Sequence, residues 1–328
     1  MDLLRDYTTH SITRYAFARH ALVEALRRSG VVADSRVLVP EFICRDVLAS
    51  IHARGASVSF YKVNESLDPV NLESAPRAQA VLAVDYFGFP QDLSPYREYC
   101  ANHDVRLIED NAHGLFSRDH TGALLGTRGD YGILSMRKTF HVSTGAALIA
   151  PAGDSPAHAT PCDRHADSSL DWFRFVLSRG ERKTGLPLMP AMRSVIRGGR
   201  RLAGKPALLL SSAREEYELP TQQMIGCASD RLLNRQSPDR EASRRRQLFN
   251  QIAPEISAID GVAVFHHQLA DGVVPYGVPF RAAPRAAERV EKIARRYHVS
   301  TMTWPALPES VLEKAPDHYR NIWLVNFI

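Results

Sequence analysis

The feature that most constrains this chain is the regular beat of roughly its first 150 residues, where short apolar runs alternate with helical stretches about ten residues long. Arg36-Val-Leu-Val-Pro40, Val58 to Val63, Ala80 to Tyr86, Val105 to Glu109, Tyr131 to Ser135 and Ala146 to Ala150 read as strands. Phe17 to Ser29, with apolar residues at helical spacing and a stop at Gly30, reads as the first helix; Cys44 to Arg54, ending at Gly55, and Leu93 to His103 follow. Residues before Phe17 are polar and receive no element. Strands that alternate with helices in this way form crossover units and a mainly parallel sheet covered on both faces. In such sheets, ligands collect beyond the carboxyl ends of the strands.

The beat breaks at Pro151. Residues 151–220 are rich in Pro, Gly and Arg, with helical patches at Leu170 to Leu177 and near Met192 to Leu202. Asp239 to Ile256 then reads as a charged helix, Val262 to His266 and Val274 to Arg281 as strands, and Ala286 to Tyr297 as an amphipathic helix. The expectation is a large α/β domain over 1–220, including the irregular connection, and a smaller α+β domain over 221–328. The chain stops at Asn326-Phe-Ile328, inside what reads as a strand.

Composition narrows the class. At 328 residues, with 45% hydrophobic and 23% charged content, the chain can bury a sizeable core, and disorder or a coiled coil is excluded. The 41 basic residues exceed the 36 acidic ones only slightly, and much of the excess sits in Arg193 to Lys205 and Arg240 to Arg246, read as solvated faces. No nucleic-acid motif accompanies them. Cys44, Cys100, Cys162 and Cys227 lie far apart, with no spacing for zinc or a disulfide framework, so a reducing cytoplasm is expected and no metal. No signal peptide and no membrane span is legible.

Two strand ends carry the chemistry. Glu109-Asp110-Asn-Ala-His113 closes one strand and Ser135-Met-Arg-Lys138 a later one. A carboxylate on one strand end and an amine on another suit pyridoxal 5'-phosphate, whose ring nitrogen takes a carboxylate partner and whose aldehyde takes an amine. A lysine attacks an aldehyde only as the free amine, which favours a partly desolvated position near other positive charge; Lys138 follows an apolar strand and has Arg137 beside it. The competing reading, a solvated surface lysine, is weakened by that position. Asp110 pairs with the pyridine nitrogen in one reading and makes an Asx turn in the other. His113 reaches the phenolic oxygen of the ring or packs as an ordinary histidine. Ser135 contacts the cofactor phosphate or caps the strand end. The start of the first helix, with Ala18 and Arg19, offers N–H groups and a guanidinium to phosphate.

These segments, in this order, resemble the DegT/DnrJ/EryC1/StrS family of PLP-dependent aminotransferases, of the aspartate aminotransferase fold (fold type I). The matching pieces are Val-Leu-Val-Pro40, the strand entered at Gly55, Val84-Asp-Tyr-Phe-Gly-Phe-Pro90, Ile108 to His113, Gly129-Asp-Tyr, and Ser135 through Gly145. The resemblance covers residues 15–150 well and the rest loosely. It implies Lys138 as the Schiff-base lysine, Asp110 as the ring-nitrogen partner, His113 at the family's Gln or His position, Ser135 as a phosphate ligand and Ala18-Arg19 at the phosphate turn. It also implies a seven-stranded-type sheet and a homodimer with shared active sites. Where the family has Gly-Thr at the phosphate turn this chain has Ala18-Arg19, its His-x-x-Gly histidine is Asp85, and its Gly-Glu-Gly-Gly is Ser143-Thr-Gly-Ala146. Phe42 and Cys44 are the choices for the ring-stacking residue, and Arg231 and Arg281 are among the candidates for the donor carboxylate. Family members continue with a final helix that is missing here.

The resulting expectation is an aminotransferase moving an amino group from an amino acid to a keto sugar or secondary-metabolite carbonyl. Asp85 and the Ser143 to Ala146 segment motivate an alternative, a PLP enzyme of elimination, decarboxylation or carbon–carbon bond formation. A non-catalytic sensor or partner subunit is the third reading.

Overall fold

The computed structural model describes residues 3–154 and 212–328, with 162–165, 167, 169, 171–173 and 176–177 between them. The expected helical patch near Met192 to Leu202 and the basic Arg193 to Lys205 segment lie outside the described residues, as does part of the Leu170 to Leu177 patch.

The large sheet has eight strands in the order β1-β8-β7-β6-β5-β2-β3-β4. They are β1 (Ser11–Tyr15), β2 (Arg36–Pro40), β3 (Ser57–Val63), β4 (Pro69–Val70), β5 (Ala80–Val84), β6 (Arg106–Asn111), β7 (Tyr131–Leu134) and β8 (Ala146–Ala150). From β3 through β7 the pairing is parallel, whereas β8 runs antiparallel to both β7 and β1. The mainly parallel α/β expectation holds, and the solved structures compared below share the fold. The stretch left unassigned before Phe17 instead supplies β1. Its Ile12 and Thr13 register against Ile149 and Leu148 of β8, a partner that only the folded chain brings near.

The central strands are buried on both faces, as continuous apolar runs in a covered parallel sheet must be: all five residues of β5, and likewise of β8, are buried. Helix α1 (Ala18–Arg28) turns Ala21, Leu22, Ala25 and Leu26 inward, following the spacing read from sequence. The expected helix from Cys44 becomes a 3-10 turn (Arg45–Val47) and α2 (Leu48–His52), because Arg45 is held by the carbonyls of Ala306 and Leu307. Helix α3 (Ser94–His103) lies near its expected place.

Beyond residue 212 come α4 (Cys227–Leu233), α5 (Pro238–Ser257), α6 (Pro284–Arg296) and α7 (Glu309–Leu312), with a four-stranded antiparallel sheet ordered β11-β12-β10-β9. Its strands are β9 (Val262–Val264), β10 (Gly277–Ala282), β11 (Ser300–Thr303) and β12 (Ile322–Asn326). Strand β11 carried no signal in the sequence. Ile225, Leu232 and Leu233, just past the expected domain boundary, pack with Leu134 and Ala147 of the large sheet and with Met136 just beyond β7.

Two charge and cysteine expectations are corrected. Arg245, within the supposedly solvated Arg240 to Arg246 run, is 1% exposed, because its turn of α5 faces inward with Phe249 and Ile252. Cys162 and Cys227 are disulfide-bonded, although no disulfide was expected. Spacing could not show this pair, since a parallel bridge between Asp163 and Gly226 brings together segments 65 residues apart.

Candidate active site

Register builds the floor of the site. Val84 pairs with Asp110 and Asp110 with Ile133, so the ends of β5, β6 and β7 form one row. All three residues line a cleft enclosing about 690 Å³ of interatomic space, its open mouth included. The first turn of α1 forms one wall and Ile43, Cys44, Asp46 and Val47 another; Trp304, from the C-terminal part of the chain, also lines it.

Of the residues named from sequence, Lys138, Asp110, His113, Ser135, Ala18, Arg19 and Cys44 all meet in this cleft. Phe42 does not, which corrects its candidacy as the stacking residue. The chain turns after β2, with the Ile43 N–H bonding to the Glu41 carbonyl, so Phe42 goes into the core against Tyr86, Trp304 and Tyr319. Burial pushes the Cys44 thiol up to about 12, which leaves it a packing group rather than a nucleophile. Phe17, Asp46 and Trp304 were missed. Phe17 was visible only as a helix residue, and nothing near Trp304 in the sequence points to a site.

Lys138 sits on a 3-10 turn (Met136–Lys138) directly after β7, and its Nζ lies 3.2 Å from His113 Nε2. His113 is buried, and its ring stacks on Tyr276 (4.6 Å between centroids, 10° between planes) and lies parallel to Phe87 (6.1 Å, 3°). The Phe87 N–H donates to Nδ1 at 3.3 Å, which makes Nδ1 an acceptor and assigns the ring proton to Nε2. Burial first, then repulsion from Lys138, holds His113 well below the ordinary histidine range, so the ring is neutral. With a proton on Nε2, the contact to Nζ is a hydrogen bond only when the amine offers its lone pair. Phe87 reaches this position at φ 57°, ψ 14°, a left-handed conformation costing a bulky residue roughly 1–3 kcal/mol. Gly88 follows at φ 88°, where an added Cβ would meet the carbonyls of Val274 and His113 at 3.0 and 3.1 Å.

Asp110 Oδ1 accepts from the Ala112 N–H at 3.0 Å, so the Asx turn is real. Its Oδ2 receives no hydrogen bond among the described residues. Burial raises the Asp110 carboxyl above its ordinary value, with Lys138 pulling the other way. Such a carboxylate gains from a cationic N–H partner. The Ser135 hydroxyl makes no cap to the turn it precedes. No side chain caps α1 either, whose first N–H groups open on the cleft beside Arg19. Arg137, also in the cleft wall, lies over the Phe17 ring at 5.0 Å. Arg231 and Arg281 are elsewhere, over Trp172 and Phe265 respectively.

Asp85 faces away from the cleft. It is buried with Glu109 around Arg128, whose guanidinium lies 2.7 Å from Asp85 and 2.8 Å from Glu109. The Ser143 to Ala146 segment is likewise anchored outward: Ser143 donates to Asp171, the Thr144 hydroxyl accepts from the Gly226 N–H, and the Gly145 N–H bonds to the Ala16 carbonyl. Both departures from the family pattern therefore serve packing beside the site.

Comparison with known proteins gives three results. Residues 6–152 match the DegT/DnrJ/EryC1/StrS aminotransferase family. Among curated relatives, dTDP-3-amino-3,4,6-trideoxy-alpha-D-glucose transaminase of Streptomyces venezuelae is 34% identical over 101 residues, 29% of this chain and 27% of that protein. L-glutamine:2-deoxy-scyllo-inosose aminotransferase of Micromonospora echinospora is 29% identical over 142 residues, 41% of this chain and 33% of that protein. The chain thus matches about a third of the length of these relatives. Among solved structures, S. venezuelae DesV in complex with a ketimine intermediate aligns at TM-score 0.61 and 17% identity, over 99% of this chain and 84% of that one. GDP-4-keto-6-deoxymannose-3-dehydratase with a trapped PLP-glutamate geminal diamine aligns at TM-score 0.61 and 13% identity, over 98% and 85%. At these identities the likeness is one of fold, and the fold is shared by enzymes named for different reactions.

Proposed function

We propose, from the match of residues 6–152 to the DegT/DnrJ/EryC1/StrS aminotransferase family, that this chain is a pyridoxal phosphate-dependent aminotransferase. Its acceptor is a keto sugar or a related secondary-metabolite carbonyl, the class named by its relatives. One observation carries the reading: an amine, a neutral imidazole and a carboxylate with a free oxygen converge on one cleft at the carboxyl ends of parallel strands.

The residues present fit the cofactor. Asp110 Oδ2 is available to a protonated ring nitrogen, His113 Nε2–H to the phenolic oxygen, and the uncapped start of α1 with Ser135 and Arg19 to the phosphate. When bound, pyridoxal phosphate supplies the electron sink that stabilises a carbanion at the α-carbon of an amino acid. Lys138 Nζ, with its amine in the cleft beside His113 Nε2, would be the base that takes and returns the proton of the amino donor. His113, held neutral and fixed in tautomer by Phe87, keeps its donor edge toward the reacting atoms. Trp304 and Phe17 exclude water from the walls. The working unit in this reading is a homodimer.

The test uses purified protein loaded with pyridoxal phosphate. Borohydride followed by peptide mapping should find the cofactor's mass on Lys138, and L-glutamate or L-glutamine should bleach the visible band while one equivalent of keto acid appears. Modification at other lysines, or none, overturns the cofactor assignment. Modification at Lys138 without keto acid from any amino donor, but with turnover of a keto sugar, turns the reading to elimination chemistry.

A further inference from the structure

Arg245 is the most deeply buried charged side chain of α5, 1% exposed, and the site as described gives it no part. Its Nε donates to Glu241 at 2.7 Å, Nη1 to the carbonyls of Pro275 at 3.3 Å and Tyr276 at 3.1 Å, and Nη2 to the carbonyl of Thr139 at 3.0 Å. A buried guanidinium is expensive, and a leucine or methionine would fill an inward position on this helix more cheaply. What these bonds connect explains its presence. Thr139 follows Lys138 in the chain. Tyr276 stacks on His113, and its N–H donates to the carbonyl of Phe87, whose own N–H fixes the His113 ring. His113 Nε2 returns to Lys138 Nζ at 3.2 Å. The contacts close on themselves: Lys138, His113, Tyr276, Arg245, Thr139 and back to Lys138.

We propose that Arg245 is a positioning residue for this site, tying the turn that carries Lys138 to the stack that holds His113 and so setting the separation between amine and imidazole. It does so from α5, outside the stretch matched to the family. Its functional consequence rests on the reading of Lys138 as the cofactor lysine; its effect on the turn does not. The guanidinium is suited to this task because its planar fork reaches three carbonyls on two segments while its remaining edge stays on Glu241. An ammonium at the same position cannot span them at once.

The experiment compares wild type with Arg245→Met and Arg245→Lys. In the protein without cofactor, hydrogen–deuterium exchange of the segment 136–140 should speed up about tenfold in Arg245→Met, with α3 unchanged and Arg245→Lys intermediate. In the protein given pyridoxal phosphate, the rate of borohydride-fixable attachment at Lys138 should fall by about the same factor, and the pH at which the visible band titrates should move. Wild-type exchange, attachment rate and titration in a cooperatively unfolding Arg245→Met protein overturn the proposal. Faster exchange at 136–140 in Arg245→Met, with no attachment even in wild type, upholds the positioning of the turn and sinks the cofactor reading instead. Should Arg245→Met lose its cooperative transition, the comparison passes to Arg245→Lys, and wild-type values there overturn the proposal.

Discussion

The buried cluster under the floor of the site allows a quantitative prediction. Arg128 is the cation shared by Asp85 and Glu109, whose side chains are fully buried, at 2.7 and 2.8 Å; Asp119 adds a third carboxylate at 3.5 Å. At an effective dielectric near 20, each short contact is worth about 6 kcal/mol of attraction before desolvation is subtracted. Removing the guanidinium leaves two carboxylates facing each other without water, and breaking a buried pair in this way costs about 3–5 kcal/mol. Arg128→Met should therefore lose about that much stability near pH 8, measured by urea unfolding with an unchanged m-value. The loss should shrink on acidification. Burial, then the neighbouring Glu109, already raises the Asp85 carboxyl well above its ordinary range, beyond what Arg128 can offset, so the folded state holds a proton there more tightly than the unfolded chain. Stability from such a group is present at low pH and is lost as pH rises, with a slope of about 1.4 kcal/mol per pH unit for one proton. Because Arg128 pulls the Asp85 carboxyl down, its loss raises that carboxyl further, so the folded variant takes up the proton at a higher pH than folded wild type, and the Arg128→Met deficit should be smaller near pH 6 than near pH 8 by about 1 kcal/mol or more. Adding Asp85→Asn, which removes one carboxylate and keeps its shape, should recover most of the loss. A deficit below about 1 kcal/mol near pH 8, or one that does not change with pH, would refute the reasoning.

Asp110→Asn keeps the turn to Ala112 but withdraws the carboxylate, and it should weaken pyridoxal phosphate binding by at least about tenfold in equilibrium dialysis, with little change in unfolding. His113→Gln, which can still present an N–H, should retain more turnover than His113→Phe, which keeps the stack with Tyr276 and has no donor; equal kcat in the two would remove His113 from the chemistry. Reducing the Cys162–Cys227 disulfide, which spans 65 residues, should lower unfolding stability by up to about 4 kcal/mol, read as a shift in the denaturation midpoint with and without reductant, and peptide mapping without reductant should recover the two half-cystines together.

What the sequence determined by itself was local and periodic. The parallel strands β2, β3, β5, β6 and β7 and helices α1, α3, α5 and α6 follow from apolar spacing and stop signals, because each is specified within a dozen residues by its own burial pattern. The convergence of Asp110, His113 and Lys138 was legible for the same reason: each lies at or just past a strand end, and parallel register brings such ends together. Strands β1 and β11 were not legible, since each is held by a partner distant in the chain, β8 and β12 respectively. The tertiary structure alone decided which side chains face the cleft. It sent Phe42 into the core and Asp85 to Arg128, brought Trp304 to the wall, joined Cys162 to Cys227, and turned one arginine of a basic run inward to hold the Lys138 turn. Composition and spacing specify a residue's neighbours in the chain. Its neighbours in space depend on turns and long-range packing, and for Arg245 those neighbours are the whole of its role.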